Sequence, residues 1–246
     1  MILSSYSIKG GVGKTALAVN LSYAMSLLGK RVLLIDLDPQ GAAGFYFRIA
    51  AGEKFRMKDS KDVTEGFKRN IRESDYEGLD ILPSNLAYRH LDIRLKEMEA
   101  SRKQLRGILQ NLKDDYDVIL IDCPPNITLL SENIFRASDR ILIPVIPTTL
   151  SQRTYEQLKG FFNESDLPMD RLVPFFSMVQ GRNRMHSDTI QELTQTYPEF
   201  LKTGIPFAVE VEKMGLHREP LLVYGSRHPA ADAYISLRDE LLELQP

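Results

Sequence analysis

Short apolar segments alternate with helical patterns along the chain. The apolar segments are rich in Val, Ile and Leu, and several have almost no polar position within them. This pattern is typical of parallel strands that are buried on both faces of a sheet. The predicted strands are 2–7, 31–36, 79–83, 117–122, 140–146 and 172–179.

Helical periodicity occupies the intervals between these strands. The predicted helices are 14–28, 85–113 with a break near Gly107, 151–162, 187–196 and 229–244. Strands that alternate with helices indicate an α/β fold, a mostly parallel twisted sheet flanked by helices. We expect one domain over residues 1–246. Segment 48–78 is rich in both basic and acidic residues, and its partner in the sheet cannot be named from sequence.

The composition limits the partners that the protein can bind and the cellular compartment in which it is expected. The 246 residues include 31 Lys and Arg against 33 Asp and Glu, a net charge of −2, so any contact with nucleic acid needs a local basic patch. Cys123 is the one cysteine, which excludes an intrachain disulfide and a cysteine-rich metal or iron–sulfur site within one chain. Neither a signal peptide nor an apolar run of about 18 residues is found, and a cytoplasmic protein is expected.

The stretch SIKGGVGKTA, residues 7–16, resembles a phosphate-binding loop with one departure. The usual pattern is G-x-x-x-x-G-K-[ST], and here Ile8 stands where the first glycine is expected. Lys9 follows it, so that a second lysine precedes the expected Lys14. The loop connects a predicted strand to a predicted helix, as a phosphate site requires.

Each residue type in this loop has a chemical reason. Gly10, Gly11 and Gly13 allow the backbone to curl until its N–H groups point at phosphate oxygens. The first turn of the following helix adds further N–H groups and the positive end of its dipole. Lys14 can neutralise the β- and γ-phosphates, and the Thr15 hydroxyl can ligate Mg²⁺. A glycine-rich turn with incidental lysines is the weaker interpretation.

Three aspartates lie at or just after the ends of predicted strands and support a magnesium–phosphate site. Asp36 and Asp38 lie in LLIDLDPQG, and Asp122 ends DVILID. In an open α/β sheet the carboxyl ends of the strands face the ligand crevice. An aspartate at such a position can also be a helix cap or a turn former. Three of them beside one phosphate loop favour the functional interpretation, with Asp122 holding Mg²⁺ through water.

Together these stretches resemble the ParA/MinD family of ATPases. KGGVGKT, DLDPQG and DVILIDCPP are similar to its deviant Walker A, switch I and Walker B motifs, and 79–91, 143–158 and 219–241 are similar to later segments. The resemblance implies a P-loop ATPase that uses ATP and Mg²⁺. It also implies an ATP-dependent homodimer with the nucleotides sandwiched between the subunits.

The resemblance also implies roles for individual residues. Lys9 matches the signature lysine that reaches the phosphates bound by the partner subunit, which makes it catalytic together with Lys14 and Asp38. Asp38 would orient or activate the attacking water, Asp36 would belong to the switch, and Thr15, Asp38 and Asp122 would serve the metal. The implied nucleotide contacts are Lys9, Gly10, Gly11, Val12, Gly13, Lys14, Thr15 and Ala16, with Gln180, Arg182, Pro206, Phe207 and Val209 beside the base.

Two positions depart from the family pattern. Ala16 stands where the family usually repeats threonine, so altered nucleotide affinity is expected. Phe207 stands where members that bind the nucleoid often have a basic residue, which weakens the DNA hypothesis. Other basic residues could supply phosphate contacts if they cluster in space. The candidates are Arg182, Arg184, Lys213, Arg218 and Arg227.

The leading hypothesis is a positioning ATPase similar to the short, Soj-like ParA proteins, without an N-terminal DNA-binding domain. Its dimer would bind nonspecific DNA and associate with the nucleoid. A ParB-like protein or another cargo adaptor would stimulate hydrolysis. The sequence does not choose among a plasmid, a chromosome and a protein assembly as the cargo.

Two other classes remain open. A MinD-like membrane-cycling ATPase needs a basic amphipathic tail, but residues 229–246 carry only Arg238 against four acidic residues, so no membrane partner is expected. A metabolic relative with the same loop is the other class. Its redox version needs cluster-binding cysteines that Cys123 alone does not provide, whereas spacing does not exclude a small-molecule ligase.

Overall fold

Seven strands form one sheet in the computed structural model, which describes residues 1–51, 53–54, 58–85, 88, 91–98 and 101–244. The strands are β1 (Ile2–Ser5), β2 (Val32–Asp36), β3 (Arg72–Glu73), β4 (Leu79–Leu82), β5 (Val118–Asp122), β6 (Arg140–Val145) and β7 (Leu172–Phe176). Their order across the sheet is β3-β4-β2-β5-β1-β6-β7. All neighbouring pairs are parallel except β3 and β4, which are antiparallel at the edge.

Helices cover both faces of this sheet. They are α1 (Lys14–Ser26), α2 (Ala42–Tyr46), α3 (Ser60–Asn70), α4 (Leu91–Glu97), α5 (Gln104–Gln110), α6 (Leu129–Ala137), α7 (Thr149–Glu164), α8 (Arg184–Thr196), α9 (Val209–Glu212), α10 (Met214–His217), α11 (Leu221–Tyr224) and α12 (Pro229–Glu243). The predicted mostly parallel α/β architecture is confirmed.

Alternating side chains of the central strands enter two separate core layers. In β2, Leu33 and Ile35 belong to the layer that α3 to α8 cover, whereas Val32 and Leu34 belong to the layer under α1, α2 and α10 to α12. Both faces of the strand therefore bury apolar side chains, which explains the nearly continuous apolar segments in the sequence.

All six predicted strands are confirmed, and the helical region predicted over 85–113 is confirmed except for the position of its break. The described part of that range contains two helices, α4 and α5, and residues 86, 87, 89, 90, 99 and 100 lie outside the described residues. The break is not at Gly107, which lies within α5. Asn133 of α6 contacts the backbone around the start of α5: its amide donates to the Ser101 carbonyl at 2.7 Å and its carbonyl accepts from the Leu105 N–H at 3.2 Å. The Leu105 N–H lies in the first turn of α5, where N–H groups have no partner within their own helix.

Segment 48–78 contains α3 and the edge strand β3. Helix α3 begins after Asp59, whose side chain accepts from the Asp62 N–H, and it buries Val63 and Phe67 in the core. Strand β3 then pairs with β4, which supplies the partner in the sheet that sequence did not name.

Candidate functional site

The phosphate-type loop runs between β1 and α1, as predicted. Gly11 and Gly13 have φ of 71° and 94°, in the left-handed region that favours glycine. A Cβ at Gly13 would also lie 3.2 Å from the Ser177 Oγ, whereas a Cβ at Gly10 or Gly11 would meet nothing within 4 Å. No side chain caps the start of α1. The loop is therefore an open cradle of backbone N–H groups that suits an anion.

Lys14 is buried at the start of α1, inside this cradle. Its Nζ donates to the Lys9 carbonyl at 3.3 Å, so the ammonium is held across the loop. Burial lowers the pKa of Lys14, and the nearby carboxylate of Asp122 opposes that effect. A buried cation with this environment is suited to an anionic ligand.

Three neighbouring strands place a row of polar side chains beneath the loop. Ser5 of β1 is in register with Asp122 of β5, and Asp122 is in register with Asp36 of β2. Ser5 Oγ donates to the Lys14 carbonyl at 3.1 Å and so joins the row to α1. The predicted convergence of Asp36 and Asp122 at the carboxyl edge of the sheet is confirmed.

Asp122 is the residue of this row whose charge is least compensated. Its two carboxylate oxygens are buried, and neither has a hydrogen-bond partner in the described part of the chain. Burial raises the pKa of Asp122 to about 7, although the neighbouring Thr15 hydroxyl and the Lys14 ammonium favour the ionised form. An orphaned buried carboxylate beside a hydroxyl is suited to an ordered water in the shell of a cation.

Asp36 has a different environment, because its carboxylate accepts from the chain that follows it. The acceptor distances are 3.1 Å from the Asp38 N–H, 3.0 Å from Ala43 and 3.4 Å from Gly44. Burial raises the pKa of Asp36, with the nearby Asp122 adding to the effect. Asp36 therefore holds the segment from Asp38 to α2 against the sheet.

Asp38 is half-buried at the same edge. One of its carboxylate oxygens accepts from the Gln40 N–H at 3.0 Å, and its carbonyl accepts from Ser84 Oγ at 2.6 Å. Sequence analysis missed Ser84. Its position just after β4, at the carboxyl edge of the sheet, is the signal that could have identified it.

The residues present fit a magnesium ion bound together with phosphates. Among the described residues, no three His, Cys, Asp or Glu side chains converge in a way that would hold a metal by themselves. Thr15 and Asp122 could therefore supply only part of a coordination shell. Phosphate oxygens and water would supply the rest, which is how Mg²⁺ usually binds.

A pocket beside the loop contains part of the predicted base contacts. Gly13, Ala16, Pro206 and Phe207 are among the residues that line it. Gln180, Arg182 and Val209 are exposed and are not among its described lining residues. A parallel bridge between Val179 and Pro206 joins the two segments that contain these three residues.

Asn20, which sequence analysis missed, fixes one wall of this pocket. It is buried in α1, and its amide donates to the Ala16 carbonyl at 2.8 Å and to the Met214 sulfur at 3.2 Å. Its carbonyl accepts from the Leu221 N–H at 2.8 Å. Asn20 thereby joins the phosphate-loop helix to the short helices α10 and α11.

The five basic candidates do not have equal environments. Arg184 lies 3.8 Å from Asp188, and Lys213 lies 3.4 Å from Glu210, in exposed pairs that contribute little. Arg218 donates to the Phe45 carbonyl at 3.2 Å and lies over the Phe45 ring. Arg182 and Arg227 are exposed.

Comparisons with known proteins agree with this geometry. The family model AAA_31, described as an AAA domain, matches residues 1–168. The sporulation initiation inhibitor protein Soj of Bacillus subtilis is 30% identical and covers 98% of this chain and 97% of its own length. The chromosome partitioning protein ParA of Caulobacter vibrioides is 28% identical, over 98% of this chain and 93% of its own.

A solved structure has the same fold with ligands bound. Cobyrinic acid a,c-diamide synthase from Mycobacterium smegmatis, with ADP and magnesium, superposes with a TM-score of 0.77 at 25% identity. The match covers 98% of this chain and 93% of that one.

The environment of Asp122 predicts how pH affects the protein without nucleotide and Mg²⁺. The pKa of Asp122 rises from an ordinary 3.8 to about 7 on folding. At pH values between these two, Asp122 is therefore protonated in the folded state and ionised in the unfolded state. Stability from this group therefore falls as pH rises. Urea titrations measure the free energy of unfolding of both proteins. The value for Asp122→Asn minus the value for wild type should increase by about 2–4 kcal/mol from pH 5 to pH 8.

Asp114→Asn, which removes an exposed carboxylate, is the control for the loss of one charge. A difference between Asp122→Asn and wild type that stays constant from pH 5 to pH 8 would contradict the assignment of this titration to Asp122.

Proposed function

This chain belongs to the AAA-domain family AAA_31 and to the ParA/MinD family of ATPases, and we propose that it is an ATP-hydrolysing positioning protein. ATP closes a homodimer, the dimer binds nonspecific DNA as its track, and an adaptor protein stimulates hydrolysis and release. The observation that supports this function most directly is the orphaned carboxylate of Asp122 beside the open cradle and Thr15.

The described side chains divide the chemistry among them. Lys14 and the N–H groups of the cradle bind the phosphates, and the Thr15 hydroxyl and Asp122 would hold Mg²⁺. Bound Mg²⁺ supplies positive charge to the phosphate oxygens that become more negative during transfer. Asp38 orients a water for in-line attack on the γ-phosphate and accepts its proton. Asp36 keeps Asp38 in place through the N–H groups that it binds.

Lys9 makes the reaction depend on the dimer. It lies on the outer part of the loop, where it is only half-buried, and its carbonyl holds Lys14. In the closed dimer its ammonium reaches the phosphates in the partner subunit, as the family resemblance implies. A cation supplied in trans stabilises the transition state only when two subunits meet. Hydrolysis then becomes the signal for dissociation.

Nonspecific DNA is proposed as the track, and a ParB-like protein as the adaptor. The relatives named for chromosome partitioning support this choice, and their likeness covers nearly the whole chain. Exposed Arg182, Arg184, Lys213 and Arg227 could each contact a phosphate without any base-specific contact. No helix among the described residues is long and apolar enough to cross a bilayer.

Three substitutions separate nucleotide binding, dimer closure and hydrolysis. Lys14→Ala should lose ATP binding, because it removes the buried cation of the cradle. Lys9→Ala should keep ATP binding but lose ATP-dependent dimerisation, and Asp38→Ala should hold ATP in a stable dimer. Light scattering during size-exclusion chromatography, with ATP or ADP, measures the assembly. If all three variants dimerised equally with ATP, the mechanism would be wrong.

The track is tested with the Asp38→Ala protein and DNA of random sequence. ATP should promote binding, ADP should not, and affinity should fall by about 10³-fold or more between 50 and 200 mM salt, given several phosphate contacts. An ATP dimer that ignores DNA at low salt would contradict DNA as the track. An ATPase rate that required a small acid or amine would instead favour a ligase.

A further inference from the structure

Two arginines adopt a backbone conformation that is unusual for this residue type. Arg48 and Arg218 have φ of 59° and 55°, in the left-handed region that non-glycine residues seldom enter. Each follows a short helix. Arg48 lies just after α2, and Arg218 ends α10. Such strain persists only where contacts of the folded protein favour it.

The contacts of the two arginines are reciprocal. His217 is the last residue of α10, and its carbonyl accepts from Arg48 Nη2 at 3.1 Å. Arg218 Nε donates to the carbonyl of Phe45 at 3.2 Å, within the last turn of α2. Each arginine therefore satisfies a terminal carbonyl of the other's helix, where a cation is favoured. We call Arg48 and Arg218 the arginine clasp.

Further contacts orient both side chains of the clasp. The guanidinium of Arg218 lies 4.7 Å from the centroid of the Phe45 ring, a cation–π contact. Arg48 also lies 3.6 Å from a Glu219 oxygen and 3.9 Å from an Asp75 oxygen. The planar guanidinium, with several donors in fixed directions, suits such a set of partners better than an ammonium would.

The arginine clasp joins the two sides of the nucleotide site. The segment that begins at Asp38 leads into α2, and Asp36 accepts from an N–H in the first turn of that helix. On the other side, Val211 and Glu212 of α9 line the pocket beside Gly13, and α10 follows directly. The clasp therefore joins the C-terminal end of α2 to the segment that follows the wall of this pocket.

We propose that Arg48 and Arg218 are positioning residues that act through α2 on Asp38. This inference rests on the proposed function, in which Asp38 orients the attacking water. Asp36 and Ser84 fix the segment near Asp38, and the clasp fixes the end of the same segment. Loss of the clasp lets α2 move and misplaces the Asp38 carboxylate. Arg218 is then engaged within the protein and is not a ligand of DNA phosphate.

Hydrogen exchange without nucleotide tests the clasp itself. In Arg48→Ala and Arg218→Ala, the backbone amides of residues 42–49 should exchange at least about tenfold faster than in wild type. Arg106→Ala changes an exposed arginine on α5 and is the matched control, with unchanged exchange in this segment. Arg48→Lys and Arg218→Lys provide milder variants, and circular dichroism confirms that each protein is folded. Unchanged exchange of 42–49 in both folded alanine variants would overturn the proposal.

Steady-state ATPase kinetics test positioning. The alanine variants should lower kcat at least about fivefold and change KM for ATP less than about twofold, because the phosphate cradle stays intact. Faster exchange with unchanged kcat would overturn the role in positioning. A wild type without ATPase activity would contradict the proposed function, whereas the exchange comparison would still decide whether the arginines hold α2.

Arg218→Lys separates the clasp from a DNA contact. Lysine keeps the charge that a phosphate needs but lacks the Nε donor and the planar group over Phe45. The proposal expects DNA binding by Arg218→Ala and Arg218→Lys to change equally little. DNA binding lost in Arg218→Ala and restored in Arg218→Lys, with unchanged exchange in 42–49, would assign Arg218 to the phosphate contacts and overturn the proposal.

Discussion

Two carboxylates lie side by side at the buried carboxyl ends of two central strands, and the rest of the site is arranged around them. Asp36 and Asp122 are in register on neighbouring strands, where low polarisability makes two uncompensated negative charges costly. Backbone N–H groups compensate Asp36, which thereby holds the segment from Asp38 to α2. The Thr15 hydroxyl, the Lys14 ammonium and the Cys123 N–H favour the ionised form of Asp122, but burial outweighs them, so its ionisation is favoured most when a cation is bound. The carboxylate suited to a cation and the carboxylate that holds the segment from Asp38 to α2 are thus direct neighbours in the sheet.

The phosphate cradle could be predicted from sequence for a different reason. The loop depends on local features, namely glycines with left-handed backbone angles, a lysine, and a helix start without a side-chain cap. The strand ends could be predicted because parallel strands buried on both faces have apolar segments that stop at Asp36 and Asp122. The roles of Lys9, Lys14 and Asp38 remain predictions, although the fold brings their chain segments to one edge of the sheet.

What sequence did not predict depends on contacts between distant residues. The start of the second helix within 85–113 is contacted by Asn133, a side chain on another helix. Segment 48–78 is anchored by only a few apolar side chains, such as Phe67, within a charged stretch. Nothing in the sequence distinguishes Arg218 from other basic residues. In the fold it donates to the carbonyl of Phe45 and lies over the Phe45 ring. Such pairings have no periodic signal along the chain.

Calorimetric titration with ATP, with Mg²⁺ and with a chelator, tests most directly the claim that the cradle and Asp122 form one magnesium–nucleotide site. We expect saturable binding of ATP by wild type and a loss of affinity of about tenfold or more when Mg²⁺ is removed. The Asp122→Asn protein should show a smaller dependence on Mg²⁺ than wild type. ATP binding with the same affinity in the presence and absence of Mg²⁺, or no ATP binding at all, would contradict the account.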